Sequence, residues 1–547
     1  MKAVLPWAIV ILSSLLTAIV PFVYMKWTLG AWLPNILPQL GPDVLYYLKQ
    51  IRDVVDGHWS LGNPYFVEWA DARFPGLVLP IWIGAFPAIF GLQIGGIFAF
   101  NAIVYPILMG VLSYILFRKL VGNEWFAVVC TVLTVCTLHS FLMRPILQVV
   151  YPVLVLFLLA LLEVARRRDV KMKYVWLGAS MSAAFYLYPH LWMPEFAAVG
   201  LFLLLCAAKR EWETVKNLMV MLLCVGIVCI PQISTILSLF SNEMARLINE
   251  RSGLVESHRV LPLTIFNIKY MILLVIGFGA ISYKRRLHSG ELLVLLCSFG
   301  IIAAALSNVI TGQVMDLDTH PLWISYPLNI IAIGVLVAAL WERKTRAETL
   351  VLGILLAAMV FTSGARLVRN SFSYVFNSDV AWYRSTQEYD RVFTFLREKG
   401  VEHTVLMTPK EIGNYVSVNT SNYLLFSRQA ILHAVSADEL LERWTVQHGG
   451  KITRELLIHE IADYAGYGVT QTRRYKEGTD PITLLGGDAF INDALVKAQP
   501  IAQNYQAYLS KYNVQYVITD ALADDNPRLP AVRTRVYQDE RFVIYQL

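Results

Sequence analysis

The sequence predicts a mainly α, polytopic helical membrane protein that carries an extracytoplasmic α/β domain at its C-terminal end. Three observations predict this class. The 547 residues are 56% hydrophobic and only 16% charged, with mean hydropathy +0.52, whereas soluble domains carry about 25% charged residues. The apolar residues gather into runs near the ~20 residues that a spanning helix needs. The charged residues concentrate instead in short clusters between runs and in the segment 370–547, which reads like a water-soluble domain. A soluble enzyme, a disordered chain and a disulfide scaffold are excluded. The six cysteines, Cys130, Cys136, Cys206, Cys224, Cys229 and Cys297, all lie in apolar runs and none in the tail. They read as small buried hydrophobes, with no disulfide framework and no zinc motif. The net charge of +6 comes from Lys and Arg placed as topology markers, so nucleic acid is not an expected partner.

The elements follow in order. Pro6 to Met25 is the first span. Only Lys2 precedes it and no small-residue cleavage site follows, so a signal anchor is expected rather than a cleaved signal peptide. A polar, aromatic stretch occupies 26–74. Further apolar runs cover 75–92, 95–117, 124–142, 146–165, 173–188, 190–208, 217–239, 262–282, 290–310, 322–341 and 348–366. Basic clusters stand at Arg118/Lys119, Arg166 to Arg168 with Lys171 and Lys173, Lys209/Arg210 with Lys216, Lys284 to Arg286, and Arg343/Lys344/Arg346. If all are cytoplasmic, crossings alternate between them provided that 75–92 does not cross. That run holds Pro75, Pro80 and Pro87 and makes a poor straight span; it is expected as a juxtamembrane or re-entrant segment. The count is then about 11 spans, with 12 if 75–92 also crosses. The N-terminus is expected in the cytoplasm. The loop 26–74 and the tail 370–547 are expected outside a bacterial or archaeal plasma membrane, and the domain boundary falls between 369 and 370.

Within the tail, Tyr389–Lys399, Ala437–Trp444, Ile452–Tyr464 and Gln503–Tyr512 read as helices. His403–Met407, Ala430–His433, Val514–Thr519 and Phe542–Gln546 read as strands. Alternation of the two predicts a small α/β domain.

The first loop is the most informative segment. Val44, Leu45, Leu48, Ile51, Val54 and Val55 form a stripe of helical period, so 43–56 is an amphipathic helix. Asp43 follows Pro42 and suits the helix N-cap, and Gly57 ends the helix. Tyr46 and Tyr47 suit a membrane interface. On spacing alone, Asp43 is a cap and the helix rests on the bilayer. The order of motifs carries a further meaning. An Asp–aromatic–aromatic helix ending in Asp56-Gly57, then Asn63-Pro64, then Phe74-Pro75 before a glycine-containing run, all after one N-terminal span, resembles the GT-C superfamily. These are polytopic glycosyltransferases that use polyprenyl-phosphate-linked sugars; their relatives include protein O-mannosyltransferases, aminoarabinose transferases and oligosaccharyltransferases. The tail's closing strand pair, within 512–519 and 536–545, is similar too.

The resemblance implies that Asp43 is the general base of an inverting sugar transfer to a glycan, lipid or protein acceptor at the outer membrane face. Two family patterns are missing. Val44 stands where the mannosyltransferases have a Glu after the Asp, and the tail holds no Trp-Trp-Asp. These gaps weigh against protein mannosylation and against en bloc transfer to asparagine.

The donor phosphate needs positive charge on the outer face. Arg246, Arg251, His258 and Arg259 in the loop 241–261, with Lys269 beyond it, are the candidates, since Arg forks match phosphate oxygens; contact with lipid headgroups explains them equally. Arg144 is a weaker candidate of the same kind. His190 and Glu195 lie near the outer ends of two spans, where an intramembrane acid is a functional candidate. Together with Tyr46, Tyr47, Glu68 and Arg73 they are the candidates for acceptor or donor-sugar binding, with an internal ion network as the alternative for Glu68, Asp71 and Arg73. Asp316 and Asp318 with His320 have the residue types to hold a divalent metal, or form a solvated loop. No Gly-rich phosphate loop and no Gly-x-Ser-x-Gly is present. A transporter or lipid flippase and a non-catalytic assembly protein are the competing readings. Paired broken helices in two related halves, the mark of many transporters, are not seen.

Overall fold

A computed structural model of the chain describes residues 4–37, 43–72, 78–240, 286–312, 320–341, 379–433, 435–466 and 481–547, with scattered positions between 248 and 283. The expected run 348–366 and most of 262–282 lie outside the described residues, as do Arg73, Arg246, Arg259, Lys269, Asp316 and Asp318. His320 opens a helix, but its side chain is not described.

The first half is helical: α1 (Val4–Leu29), α2 (Val44–Val55), α3 (Val78–Ala85), α4 (Ile94–Val121), α5 (Glu124–Leu142), α6 (Pro145–Arg166), α7 (Lys171–Leu187), α8 (Pro189–Ala208) and α9 (Trp212–Phe240). After them come α10 (Ser289–Ala305) and α11 (His320–Trp341). Six helices among the described residues are long and apolar enough to cross a bilayer: α1, α4, α6, α8, α9 and the stretch Ser289–Thr311. The chain is a multi-pass helical membrane protein. The 22 residues of α6 give about 33 Å at 1.5 Å per residue, enough for a ~30 Å hydrocarbon layer. By the same arithmetic the eight residues of α3 reach only about 12 Å, so α3 alone cannot cross.

Burial explains the arrangement. Helix α6 is the hub, with Tyr151, Leu158, Leu161 and Leu162 shut away from the surface. Helix α9 is the opposite case. It leaves Met219, Val220, Leu223, Ile227, Val228, Ile230 and Leu237 exposed. In water that stripe would be an aggregation surface; against lipid tails it is the expected exterior. The basic ends of α4 and α6 meet the start of α10, where Lys119, Arg166 and His288 line one hollow. Glu163 joins this end by hydrogen bonds from Lys119 (2.6 Å) and from Lys173.

The tail is an α/β domain. It holds α12 (Asp379–Gln387), α13 (Tyr389–Glu398), β1 (Val405–Met407), α14 (Lys410–Asn419), β2 (Tyr423–Leu424), α15 (Ala437–Gln447), α16 (Asp488–Gln503), α17 (Tyr505–Lys511), β3 (Val514–Asp520), β4 (Thr534–Gln538) and β5 (Phe542–Gln546). The five strands form one mixed sheet in the order β2-β1-β3-β5-β4, parallel across the first three and antiparallel beyond. The expected strand Ala430–His433 is instead a 3-10 helix over Arg428–Leu432. Ser427 caps it by accepting a hydrogen bond from the Gln429 N–H, which turns the chain before a ladder can form. The stretch Ile452–Tyr464 breaks into Arg454–His459 and Ile461–Tyr464.

One apolar core joins this domain to the helices. Phe22, Leu45, Leu48, Ile51, Val54, Phe66 and Ile97 bury in the same cluster as Tyr389, Val392, Leu406, Val416, Ile518 and Phe542. The amphipathic stripe of α2 therefore packs inside protein, not on a bilayer, which corrects the surface-resting expectation. Polar contacts lock the seam. Arg443 of α15 is buried with 1% side-chain exposure, yet it reaches Glu68 of the loop at 2.7 Å and Glu439 at 2.9 Å. Its guanidinium also lies 4.1 Å from the ring centres of Phe66 and Tyr512. Glu68, a candidate ligand for the acceptor, is thus held in an ion network between loop and tail.

Arg443→Met is expected to loosen this seam by about 1–2 kcal/mol, since the hydrogen bonds to Glu68 and Glu439 are lost while both carboxylates keep access to water. Limited proteolysis of the purified full chain should show the tail cut faster; an unchanged cleavage rate would show that the ion network does not hold the seam.

Candidate active site

Helix α2 stands between α3 and the tail helix α14, and its first turn faces the start of α6. Asp43 precedes the helix with φ +58° and ψ +15°, the left-handed region, and its side chain makes no capping hydrogen bond. Asp43 does stand at the N-cap position, its carbonyl accepting from the Tyr47 N–H at 3.1 Å, but its side chain does not cap, since a capping side chain sits on extended backbone and aims its oxygen at the first N–H groups. A non-glycine residue in this conformation is strained by about 1–2 kcal/mol, although Asp tolerates it better than most. The carboxylate turns instead to the end of the bundle, where Asp43 Oδ2 accepts a hydrogen bond from a terminal guanidinium nitrogen of Arg144.

Arg144 caps the N-terminal end of α6. Its backbone is extended (φ −87°, ψ 117°) and Pro145 follows at the first helical position, a residue whose missing N–H costs nothing there. Its carbonyl accepts from the N–H groups of Leu147 (3.0 Å) and Gln148 (3.2 Å). This fixes the side chain at the mouth of an aromatic box. The guanidinium carbon lies 3.9 Å from the centre of the Trp323 ring on α11 and 5.3 Å from that of Tyr47. Tyr151 donates its hydroxyl proton to the Trp323 carbonyl at 3.0 Å, and Tyr188, 5% exposed, closes the box from α8. Cation–π contact stabilises a guanidinium in such a box by about 2 kcal/mol when it is desolvated. The pair is asymmetric: Arg144 is 5% exposed at the side chain and Asp43 53%. Arg144 Nε is buried with no hydrogen-bond partner. A carboxylate open to solvent, backed by a buried cation with donor capacity left over, is an arrangement suited to binding an anionic group beside a base.

The other candidates are placed as follows. Tyr47 belongs to the site. Tyr46 lies 5.6 Å, ring to ring, from the tail residue His433, which is wholly buried. His433 Nδ1 is 2.9 Å from the Gly62 carbonyl, and burial pushes this imidazole down to about 3 despite that bond, so it is neutral. The close approach here requires glycine: a Cβ at Gly62 would meet the Trp69 carbonyl oxygen at 2.2 Å. Tyr65 donates to Gln429 Oε1 at 2.5 Å. Tyr46 is therefore held against the tail and is not at a lipid interface. His190 packs against Tyr188, with ring centres 5.1 Å apart, next to the box. Glu195 lies deeper in α8 with 1% exposure, facing α10, and neither carboxylate oxygen has a hydrogen-bond partner. The two are not brought together.

The donor-phosphate cluster is not assembled among the described residues. Arg251 is buried and donates to the Val435 carbonyl of the tail at 2.7 Å, while exposed His258 lies 3.0 Å from the Val309 carbonyl. Arg144, the weaker sequence candidate, holds the position beside Asp43. No group of three metal-ligating side chains is found among the described residues.

A second charged cluster lies along α2. Lys49 and Asp53, four residues apart, are each 1% exposed. The Lys49 ammonium sits 5.5 Å from the centre of the Tyr423 ring. Tyr423 shares a 3.0 Å hydrogen bond with His58 Nε2, and His58 Nδ1 is 2.8 Å from Asp71. Burial pushes the Asp53 carboxyl up to about 6, against the attraction of Lys49 and His58. Burial also lowers the Lys49 ammonium.

No protein-family model matches the sequence and no curated protein matches it. Solved structures with a similar fold include ArnT from Cupriavidus metallidurans bound to undecaprenyl phosphate, with 13% identity, TM-score 0.48, and coverage of 100% of this chain and 98% of that one. The Archaeoglobus fulgidus oligosaccharyltransferase in its apo form shows 10% identity and TM-score 0.49 over 94% of this chain and 69% of that one. The archaeal oligosaccharyltransferase AglB from the same organism, with an inhibitory peptide and a dolichol-phosphate, shows 11% and 0.48 over 95% and 70%. Identity this low transfers no residue's role.

The raised Asp53 carboxyl has a pH signature. Between about pH 4 and pH 6 the folded chain holds a proton that the unfolded chain has released, so stability falls as pH rises through that window. The loss approaches about 3 kcal/mol above pH 6. Thermal unfolding of wild type and Asp53→Asn in detergent should show the variant gaining on wild type between pH 4.5 and 7.5; parallel curves would place Asp53 in a wetter setting.

Proposed function

We propose that the chain is a glycosyltransferase that moves a sugar from a polyprenyl-phosphate-linked donor to an acceptor at the extracytoplasmic membrane face, with inversion at the anomeric carbon. The observation that carries this reading is the Asp43–Arg144 pair: an exposed carboxylate for the acceptor hydroxyl and a buried guanidinium for the donor phosphate, both at the tail-bearing end of a helical bundle. The order of motifs in the first loop, which resembles the GT-C superfamily, agrees with it. The orientation rests on charge. Lys119, Arg166 and His288 gather at the opposite end of the bundle, which is cytoplasmic by the positive-inside rule.

In the reaction, the acceptor O–H gives its proton to an oxygen of Asp43 as the oxygen attacks the anomeric carbon from the face opposite the phosphate. The bond between that carbon and the phosphate oxygen breaks, and its electron pair leaves on the phosphate. The products are the glycosylated acceptor and the lipid monophosphate, which stays in the bilayer. Arg144 neutralises the charge that grows on the leaving phosphate, the kind of preorganised stabilisation that dominates many enzymes. The aromatic faces of Tyr47 and Trp323 keep water from that charge. Tyr47 and His190 border the site and, in this reading, touch the sugar or acceptor.

The test is release of sugar from a panel of radiolabelled polyprenyl-phosphate monosaccharides by purified protein, with membrane extract as acceptor source. Wild type should consume one or more donors, and Asp43→Asn should turn over about 10²–10⁴-fold more slowly, the range for loss of a general base. Normal turnover by the variant removes Asp43 from the chemistry. Absence of any donor consumption by a wild type that binds the lipid favours transport or assembly instead.

A further inference from the structure

Arg144 faces two demands in this site. It holds Asp43 in the structure, and the proposed reaction needs it on the donor phosphate. We propose that the donor phosphate displaces Asp43 from Arg144, so that the base is released only after the donor has bound. The proposal rests on the glycosyltransferase reading and adds an order to it: donor first, acceptor second.

Three features carry the exchange. The first is position. Asp43 is the exposed member of the pair and Arg144 the covered one, 53% against 5% at the side chain, so the carboxylate stands between the guanidinium and the open side. A ligand that reaches Arg144 from that side meets Asp43 first. The second is unused donor capacity. One carboxylate oxygen takes one terminal nitrogen, while Nε stays buried without a partner. Tyr47 gives the guanidinium a side-chain hydrogen bond as well as a ring face, and Trp323 gives a ring face, yet Nε is left without a partner. A phosphate presents several oxygens and fits the Nε–NH edge of the fork in a bidentate manner, so it satisfies the donor that Asp43 leaves unpaired. The third is the hinge. Asp43 sits in the left-handed region with no capping hydrogen bond to its own helix, so turning its side chain away from Arg144 breaks no other contact shown for its carboxylate, and a change of φ relieves strain.

The consequence is a base that is occupied in the donor-free protein. Asp43 Oδ2 accepts from Arg144, so that oxygen is not free for an acceptor hydroxyl. Once the phosphate holds the guanidinium, both carboxylate oxygens face the acceptor. Arg144 is then a positioning residue for the base in one state and a donor ligand in the next.

A binding cycle tests this without turnover. Undecaprenyl phosphate is titrated into the full-length protein in nanodiscs, for wild type, Asp43→Asn, Arg144→Gln and the double variant. If the two anions compete, Asp43→Asn tightens binding about tenfold and Arg144→Gln weakens it about tenfold. Asp43→Asn then adds nothing in the Arg144→Gln background, because the contested partner is gone. A purely structural ion pair predicts the opposite sign, with weaker binding in both single variants. Should Asp43→Asn fail to fold, as judged by loss of a monodisperse elution peak, Asp43→Ser carries the same comparison. Binding by wild type with no gain in the Asp43 variant, or with the same gain in both backgrounds, overturns the exchange and leaves the glycosyltransferase reading standing. Absence of binding by wild type overturns both.

Discussion

A guanidinium buried at the mouth of a helical bundle constrains everything around it. A desolvated charge must be paired or caged, and Arg144 is both. The cage draws on four elements: Tyr47 from α2, Tyr151 from α6, Tyr188 at the start of α8 and Trp323 from α11. Those helices must meet at one point for the charge to be tolerated. The carboxylate that pairs with it must come from outside the bundle, and the loop after α1 supplies Asp43. Helix α2 is therefore fixed by an ion pair at the residue that precedes it and along its length by an apolar stripe.

The stripe explains the tail. Leu45, Leu48, Ile51 and Val54 need a partner surface, and the tail provides it through a core that also takes in Val416 of α14, Ile518 of β3 and Phe542 of β5. Buried polar links, Arg443 with Glu68 and His433 with the Gly62 carbonyl, give the seam its register. The tail's role at the site follows from this packing. It places α2 and, among the described residues, brings no reacting group of its own to Asp43. Movement of the tail would reach Asp43 through a single rigid helix, which is how a distant domain can bear on chemistry in which it takes no direct part.

Much of this was legible in the residues, and the gaps have physical reasons. Spans, basic ends and the α2 stripe are properties of hydropathy and period, which local sequence carries. The α/β character of the tail was legible for the same reason, through runs such as Val514–Thr519. The 3-10 turn at Arg428–Leu432 was not, because four apolar-leaning residues look like a strand and only the Ser427 cap decides otherwise. On spacing alone Asp43 reads as a helix cap, and its side chain caps nothing in the fold. Capping preference is a statement about isolated helix ends, and here a buried cation 101 positions later competes for the carboxylate. A single basic residue at a span end carries no pattern, so the sequence does not mark Arg144 out. Only the convergence of Trp323, Tyr47 and Asp43 on it distinguishes it from Arg251, which the fold uses to grip the Val435 carbonyl.

A structure of the full chain with undecaprenyl phosphate bound, determined by electron cryomicroscopy in nanodiscs, addresses the central claim directly. The account predicts phosphate oxygens about 3 Å from the Arg144 guanidinium, with the lipid chain running into the bilayer and the Asp43 carboxylate turned away from Arg144 toward open space. A phosphate seated elsewhere, with the Asp43–Arg144 pair unbroken, would contradict it.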